Sequence, residues 1–208
     1  MIQLSLRCVI KIADYARKEV SVLTSPDTYT AFMMDHVAGN HSAAFELAGD
    51  LHVMLSSQGS EAAAWWAAIG GALLEETPAG PPVRNMVMVH MPPAQRHAES
   101  SAKDIIRQID EGPNWRRGLT GVRYAATGTR GARLMKLDPG QSAPMHGHND
   151  LEATVVVHGR FSDGHGTYKR GDIVLGEPGM RHKPQAVGHE TCVCLVAQKP
   201  GGFWRNFI

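Results

Sequence analysis

Cysteine is scarce, with three in 208 residues. That is too few for a disulfide framework and fits a reducing compartment. Long apolar runs are missing as well: none approaches the roughly 18 residues of a membrane span. The opening stretch, MIQLSLRCVIKIADYARKEV, carries Arg7, Lys11, Asp14, Arg17 and Lys18, which interrupt any signal-peptide core. The expected location is the cytoplasm, with no membrane partner. Net charge is nearly absent at +1, so the chain as a whole is no polycation and direct DNA binding is not expected. With 43% apolar and 20% charged residues, disorder over the whole length is excluded too.

Two deficits are local. From Asp27 to Glu76 there is no Lys or Arg, against seven acids: Asp27, Asp35, Glu46, Asp50, Glu61, Glu75 and Glu76. The first 77 residues hold five glycines and one proline, whereas 16 of the 22 glycines lie at or after Gly112. This asymmetry implies two units with different tasks.

Residues 1–26 form an N-terminal extension of mixed charge and weak periodicity. Residues 27–77 read as a short helical domain. Ser25-Pro26-Asp27 supplies a cap and a first-turn acid, and Tyr29, Phe32, Met33, His36 and Val37 share one helical face. Gly39-Asn40 stops that helix. A second starts near Ser42, with Ala44, Ala48, Leu51 and Leu55 on a stripe. Ser57-Gln58-Gly59-Ser60 reads as a turn before a third helix carrying Trp65, Trp66, Ile69, Leu73 and Leu74. Residues 78–113 are a linker. Prolines bracket an apolar stretch, VRNMVMVH, that suits an edge strand, and one helix is expected over 97–110. From residue 114 to 208 the pattern changes to short β runs and turns, with strands expected at GVRYAAT, ARLMKL, LEATVVVH, TYKRG, DIVLG and TCVCLVAQ. The fold class is therefore α+β, a helical module followed by a sandwich or small barrel.

The richest segment is PGQSAPMHGHNDLEATVVVHG. His146, His148 and Glu152 are all even-numbered, so on strands they face one interior. A second segment, GDIVLGEPGMRH, brings His182 back after a tight turn. Three imidazoles and a carboxylate suit one divalent metal. Zinc is the first expectation, and iron, manganese and nickel are admitted by the same donors. Cys192 and Cys194 share one face of the last strand, read either as two small buried hydrophobes or as a redox-sensing thiol pair near the metal. Cys8 stands alone. His158, His165 and His189 lie near turns, where exposure is expected.

The spacing from Gly140 through His146, His148 and Glu152 to Gly159 resembles the first cupin signature at every position. The resemblance implies a jelly-roll β-barrel. The second signature matches at Gly171, Gly179 and His182, while Glu177 replaces its first proline and Ala186 its final asparagine. The wider pattern adds the acidic helices, GGALLEETP, GVR, VHGRFSDGHGTYKRGD, H-x-P and C-x-C, and it resembles ChrR-type anti-sigma factors. That resemblance implies a helical domain that holds an extracytoplasmic-function sigma factor inactive and a cupin that senses oxidative stress. The family's helical domain binds zinc through an upstream His and H-x3-C-x2-C. Here His52 matches, the cysteine positions are Ser56 and Gly59, and the upstream position falls near Asp27. No metal is therefore expected in the N-terminal half, and Trp65, Trp66, Phe32 and Phe45, or docking on another surface, are expected to replace its stabilisation. The acid-only charge of residues 27–77 independently suits a basic, DNA-binding protein as partner.

The expected function is thus a transcription regulator of the anti-sigma class rather than an enzyme. The alternatives are a metal-dependent cupin dioxygenase and a cupin that binds a small ligand. Arg160, Arg170 and Arg181 are the arginines considered as anchors. A homodimer is compatible with the sequence.

Overall fold

The computed structural model describes residues 25–76, 100–118 and 120–199. Cys8, the extension up to residue 24 and the apolar stretch of the linker lie outside the described residues.

Helix α1 spans Pro26–Val37. Ser25 is extended, and its hydroxyl accepts the Thr28 N–H at 3.0 Å, with Pro26 at the first helical position. Tyr29, Phe32 and Met33 are its buried face. Helix α2, Ala43–Leu55, buries Ala44, Phe45, Leu47, Ala48, Gly49, Leu51 and His52. Burial over so many of thirteen positions marks it as the central helix.

Helix α3 runs from Ser57 to Glu76, which corrects the expected turn at 57–60. The break is the single extended residue Ser56, and Ser60 N–H already bonds Ser56 C=O at 3.0 Å. Gly59 is helical because the close approach needs it: a Cβ there would lie 2.6 Å from the His52 carbonyl oxygen. The expected apolar replacement also divides. Phe32 and Phe45 are buried, but Trp65 is 38% exposed and Trp66 only half-buried. Helix α4, Ala102–Glu111, starts in a capping box between Ser101 and Asp104 and ends at Gly112 with φ +82°.

Among the described residues eleven strands follow: β1 Arg116–Arg117, β2 Arg123–Ala126, β3 Ala132–Leu137, β4 His146–Gly147, β5 Glu152–His158, β6 Arg160–Ser162, β7 Thr167–Lys169, β8 Ile173–Gly176, β9 Arg181–His182, β10 Gln185–Ala186 and β11 Cys192–Gln198. A six-stranded sheet has the order β1-β2-β3-β11-β5-β8, facing smaller sheets β10-β6-β7 and β4-β9. All named pairings are antiparallel.

Strands β5, β8 and β11 of the large sheet are buried on both faces. Even-numbered residues of β5, β8 and β11 (Val156, Val174, Cys192, Cys194, Val196) join Met135, Leu137 and Phe161 in the barrel interior. Odd-numbered ones (Val155, Val157, Leu175, Val193, Leu195) join Phe32, Leu47, Leu51 and Ile105 in a second cluster. Helix α2 lies across β5 and β11 and closes that outer face. This explains why β5 and β11 read as continuous apolar runs rather than alternating ones. The helices and the β-domain therefore share one apolar core.

Candidate metal centre

His146 and His182 are directly opposite each other in the β4–β9 pair. His148 follows β4. Its N–H donates to Met180 C=O at 3.1 Å and its C=O accepts from Gly179 N–H at 2.7 Å. Glu152 opens β5, between Gly176 of β8 and Gln198 of β11. The expectation that three of these residues share one strand face is corrected: a turn separates His148 from Glu152, and pairing between β4 and β9 brings the imidazoles together. The convergence itself is close. His182 Nε2 lies 3.0 Å from His148 Nε2 and 3.1 Å from His146 Nε2. One donor atom from each of His146, His148, Glu152 and His182 falls within 4.8 Å of the others.

The donor set fits a cation. His146 Nδ1–H donates to Pro144 C=O at 2.9 Å, which directs its Nε2 lone pair inward. Ligand atoms held at about 2.0–2.1 Å from a metal stand roughly 2.9–3.4 Å apart, and the Nε2 separations lie in that range. Burial lowers the pKa of His146 and of His148 and keeps both in the neutral, ligating form. His148, Glu152 and His182 are 3%, 6% and 5% exposed, so a charge among them is dehydrated and needs a counter-charge.

Supporting groups surround the four. His182 Nδ1 faces Asp163 Oδ2 at 3.8 Å. Burial pushes the Asp163 carboxyl up, but the nearby His182 ring and hydrogen bonds from the His165 and Gly166 N–H groups and the Tyr168 hydroxyl outweigh it and hold the carboxyl below its usual range. Gln198 donates its side-chain amide to Glu152 Oε2. Gly176 makes room for His148, since a Cβ there would come 2.9 Å from the imidazole. A cavity of about 30 Å³ adjoins the cluster, bounded by His146, Glu152, His182, Tyr124, Arg133 and Gln198. It has room for about two waters. The Arg133 guanidinium sits 4.3 Å over the Tyr124 ring.

Arg133, Asp163, Gly176 and Gln198 are missing from the sequence reading. Strand parity was the available sign for two of them: Gln198 shares the even face of β11 with Cys192 and Cys194, and Arg133 the odd face of β3 with Met135 and Leu137. Asp163 carries no such sign: it sits in Ser162-Asp163-Gly164, a sequence that by itself signals only a turn. Of the arginines considered as anchors, Arg170 donates to Val157 C=O at 2.6 Å, and Arg160 and Arg181 are exposed.

Cys192 and Cys194 are both buried, with Sγ atoms 3.5 Å apart. The neighbouring thiol and burial push Cys194 well above its ordinary pKa, so it is a thiol and not a nucleophilic thiolate. His158, His165 and His189 are exposed.

In the helical half, His52 is buried and bridges the two parts of the chain. Its Nδ1–H donates to Gly171 C=O at 2.7 Å, and its Nε2 accepts from the Tyr29 hydroxyl at 3.0 Å. Ser56 caps α2, with its hydroxyl accepting Gly59 N–H at 3.3 Å, and Asp27 is exposed.

Residues 112–201 match a family model described as a ChrR cupin-like domain. Over 183 residues the chain is 32% identical to the anti-sigma-E factor ChrR of Cereibacter sphaeroides, spanning 80% of this chain and 86% of that protein. The crystal structure of Rhodobacter sphaeroides SigE in complex with the anti-sigma ChrR superposes with a TM-score of 0.66 at 32% identity, covering 82% of this chain and 96% of the matched one.

Proposed function

This chain belongs to the ChrR family of anti-sigma factors, and we propose that it holds an extracytoplasmic-function sigma factor inactive and releases it when its cupin is perturbed by oxidants. The observation that carries this reading is the 32% identity over 80% of the chain to an anti-sigma factor. The matched relative in the solved complex is bound to a sigma factor.

The surface of the helical half supports a protein partner. Met34, Met54, Trp65 and Leu73 are large apolar side chains 45%, 41%, 38% and 62% exposed. They lie within the segment that carries seven acids and no Lys or Arg. Exposed apolar side chains on a segment of purely negative charge suit a basic, polymerase-associated protein.

We assign the cupin metal to His146, His148, Glu152 and His182, with zinc as the first candidate. A bound divalent cation supplies a fixed positive charge and Lewis acidity beside the cavity. The chain's own residues couple this centre to the helices. The turn Glu177–Met180 holds the His148 backbone, and the Glu177 carboxylate accepts the Thr28 hydroxyl of α1. A shift at His148 therefore reaches the first turn of the helical half. The metal cluster, rather than the buried thiol pair, is the primary responsive element in this reading, because Cys194 lacks thiolate character. The same cavity weighs against the dioxygenase alternative: about 30 Å³ admits a small oxidant but not a diketone-sized substrate.

Two measurements test the reading. Co-expression of the full chain with its genomic-neighbour sigma factor should give a 1:1 complex that blocks transcription by the sigma-loaded polymerase, and absence of binding to any such sigma factor refutes the proposal. His148→Ala should lose the cupin metal by elemental analysis, and unchanged metal content refutes the assignment.

A further inference from the structure

His36 lies in the last turn of α1 with its side chain only 9% exposed. Its imidazole rests on Gly49 of α2, where a Cβ would come 2.4 Å from Nδ1. A glycine inside a helix costs about 1 kcal/mol relative to alanine, so a seat for the ring is a specific use of that position. Glu46 and Asp50, one turn apart on α2, flank the ring. Nδ1 is 3.5 Å from Glu46 Oε2, and Nε2 is 3.6 Å from Asp50 Oδ1. One donor atom from each of the three residues lies within 4.8 Å of the others. His36 Nδ1 is buried and makes no hydrogen bond. The carboxylates are 41% and 49% exposed, open to an ion from solvent, and no Lys or Arg between Asp27 and Glu76 competes for them.

We propose that His36, Glu46 and Asp50 form a second divalent-metal site, which pins α1 to α2. Two carboxylates and a neutral imidazole present two negative charges to a dication. The nitrogen donor selects a zinc-class ion over calcium or magnesium, which take oxygen ligands. Ligand atoms around such an ion stand roughly 3–3.5 Å apart, whereas one ring nitrogen and one oxygen of each carboxylate lie within 4.8 Å of one another here, so the carboxylate beside the other nitrogen has to rotate toward the ligating one; exposure of the carboxylates allows this and leaves the remaining positions to water. The site shares no residue with the cupin cluster and does not use His52, Ser56 or Gly59. A metal at these residues departs from the sequence expectation, which was no metal anywhere in this half, with His36 read as a helix-face residue. The constellation escaped it because the ligands come from two helices, with no paired motif spacing.

The test is zinc titration of the metal-stripped full chain by calorimetry, with imidazole proton signals followed by NMR. Wild type should bind two equivalents. Glu46→Gln/Asp50→Asn, which keeps side-chain shape at half-exposed positions, should bind one, with the weaker class lost by at least tenfold in affinity. His148→Ala should keep the His36-linked class, and zinc should shift the His36 signal in that variant. Zinc should also raise Tm in His148→Ala by several degrees and leave the Glu46→Gln/Asp50→Asn/His148→Ala variant unmoved. The proposal is overturned if zinc leaves the His36 signal of His148→Ala in place, or if the carboxamide pair binds as much zinc as wild type. Either result leaves the cupin assignment standing, because that assignment is read from the equivalent lost in His148→Ala.

Discussion

Lowering the pH from 7.5 to 4.5 loads a proton onto His52 in the unfolded chain well before it does so in the folded one. Burial lowers the His52 pKa to about 4 from its ordinary 6.5, and the hydrogen bond to Gly171 only partly opposes this. Between those values the unfolded state binds more protons, so stability falls as pH falls, by about 1.4 kcal/mol per unit. Over the whole window the loss approaches about 3 kcal/mol; it is absent above pH 6.5 and levels off below pH 4. Other histidines titrate as well, so the informative quantity is the gap between wild type and His52→Gln, in which their contributions cancel. At pH 7.5 wild type should be more stable by roughly 1–3 kcal/mol, the cost of leaving the Tyr29 hydroxyl and Gly171 carbonyl imperfectly paired. By pH 5 the gap should shrink by about 2 kcal/mol, and near pH 4 it should close or reverse. Urea unfolding followed by tryptophan fluorescence at half-unit pH intervals measures it. A gap that stays constant from pH 7.5 to 4.5 refutes the assignment of His52 as a neutral, proton-excluding bridge.

Gly171→Ala should destabilise by at least about 1–3 kcal/mol from its backbone alone, because Gly171 has φ +90°. It should also loosen α2 from the β-domain, since the added Cβ would meet Leu55 C=O at 2.4 Å; hydrogen exchange of α2 amides is the check. Leu51→Ala should cost about 2–5 kcal/mol at a fully buried position, read by urea midpoint, and a loss under 1 kcal/mol would contradict the shared core. Gly176→Ala should leave the fold intact but weaken cupin metal binding at least tenfold in a competition assay, by displacing the His148 ring. Cys192→Ser/Cys194→Ser should retain the wild-type cupin metal content, and loss of that equivalent would place a thiol among the ligands.

Much of this arrangement was readable from residues. The Thr/Val-rich runs LEATVVVH and TCVCLVAQ became β5 and β11, and ARLMKL, bounded by turn residues on both sides, became β3. Strands β4 and β9, which position the imidazoles, are two residues each and carry no periodicity. The candidate cluster His146, His148, Glu152 and His182 was singled out by its chemistry and spacing, whereas the strand-parity reason offered for its convergence was incomplete. Helix α3 passed through an expected turn because Gly59 answers to a tertiary contact with His52, which local propensity does not encode. Trp65 read as core because its stripe is apolar, yet it is 38% exposed: an apolar stripe does not say which of its members a partner element covers. Asp163 read as turn chemistry, which it performs through His165 and Gly166 N–H bonds while also facing His182.

Because α2 is sandwiched against β5 and β11, the two halves of this protein are not interchangeable parts. A chimera joining these helices to a relative's barrel would mate two surfaces selected apart, with mismatched volumes along the seam. Excising the barrel alone would strip the lid from Val155, Leu175 and Leu195 and leave a greasy plate in search of cover. Substitutions along this seam are therefore expected to have drifted in compensating pairs, so that the helices inherit their shape partly from the barrel they lean on.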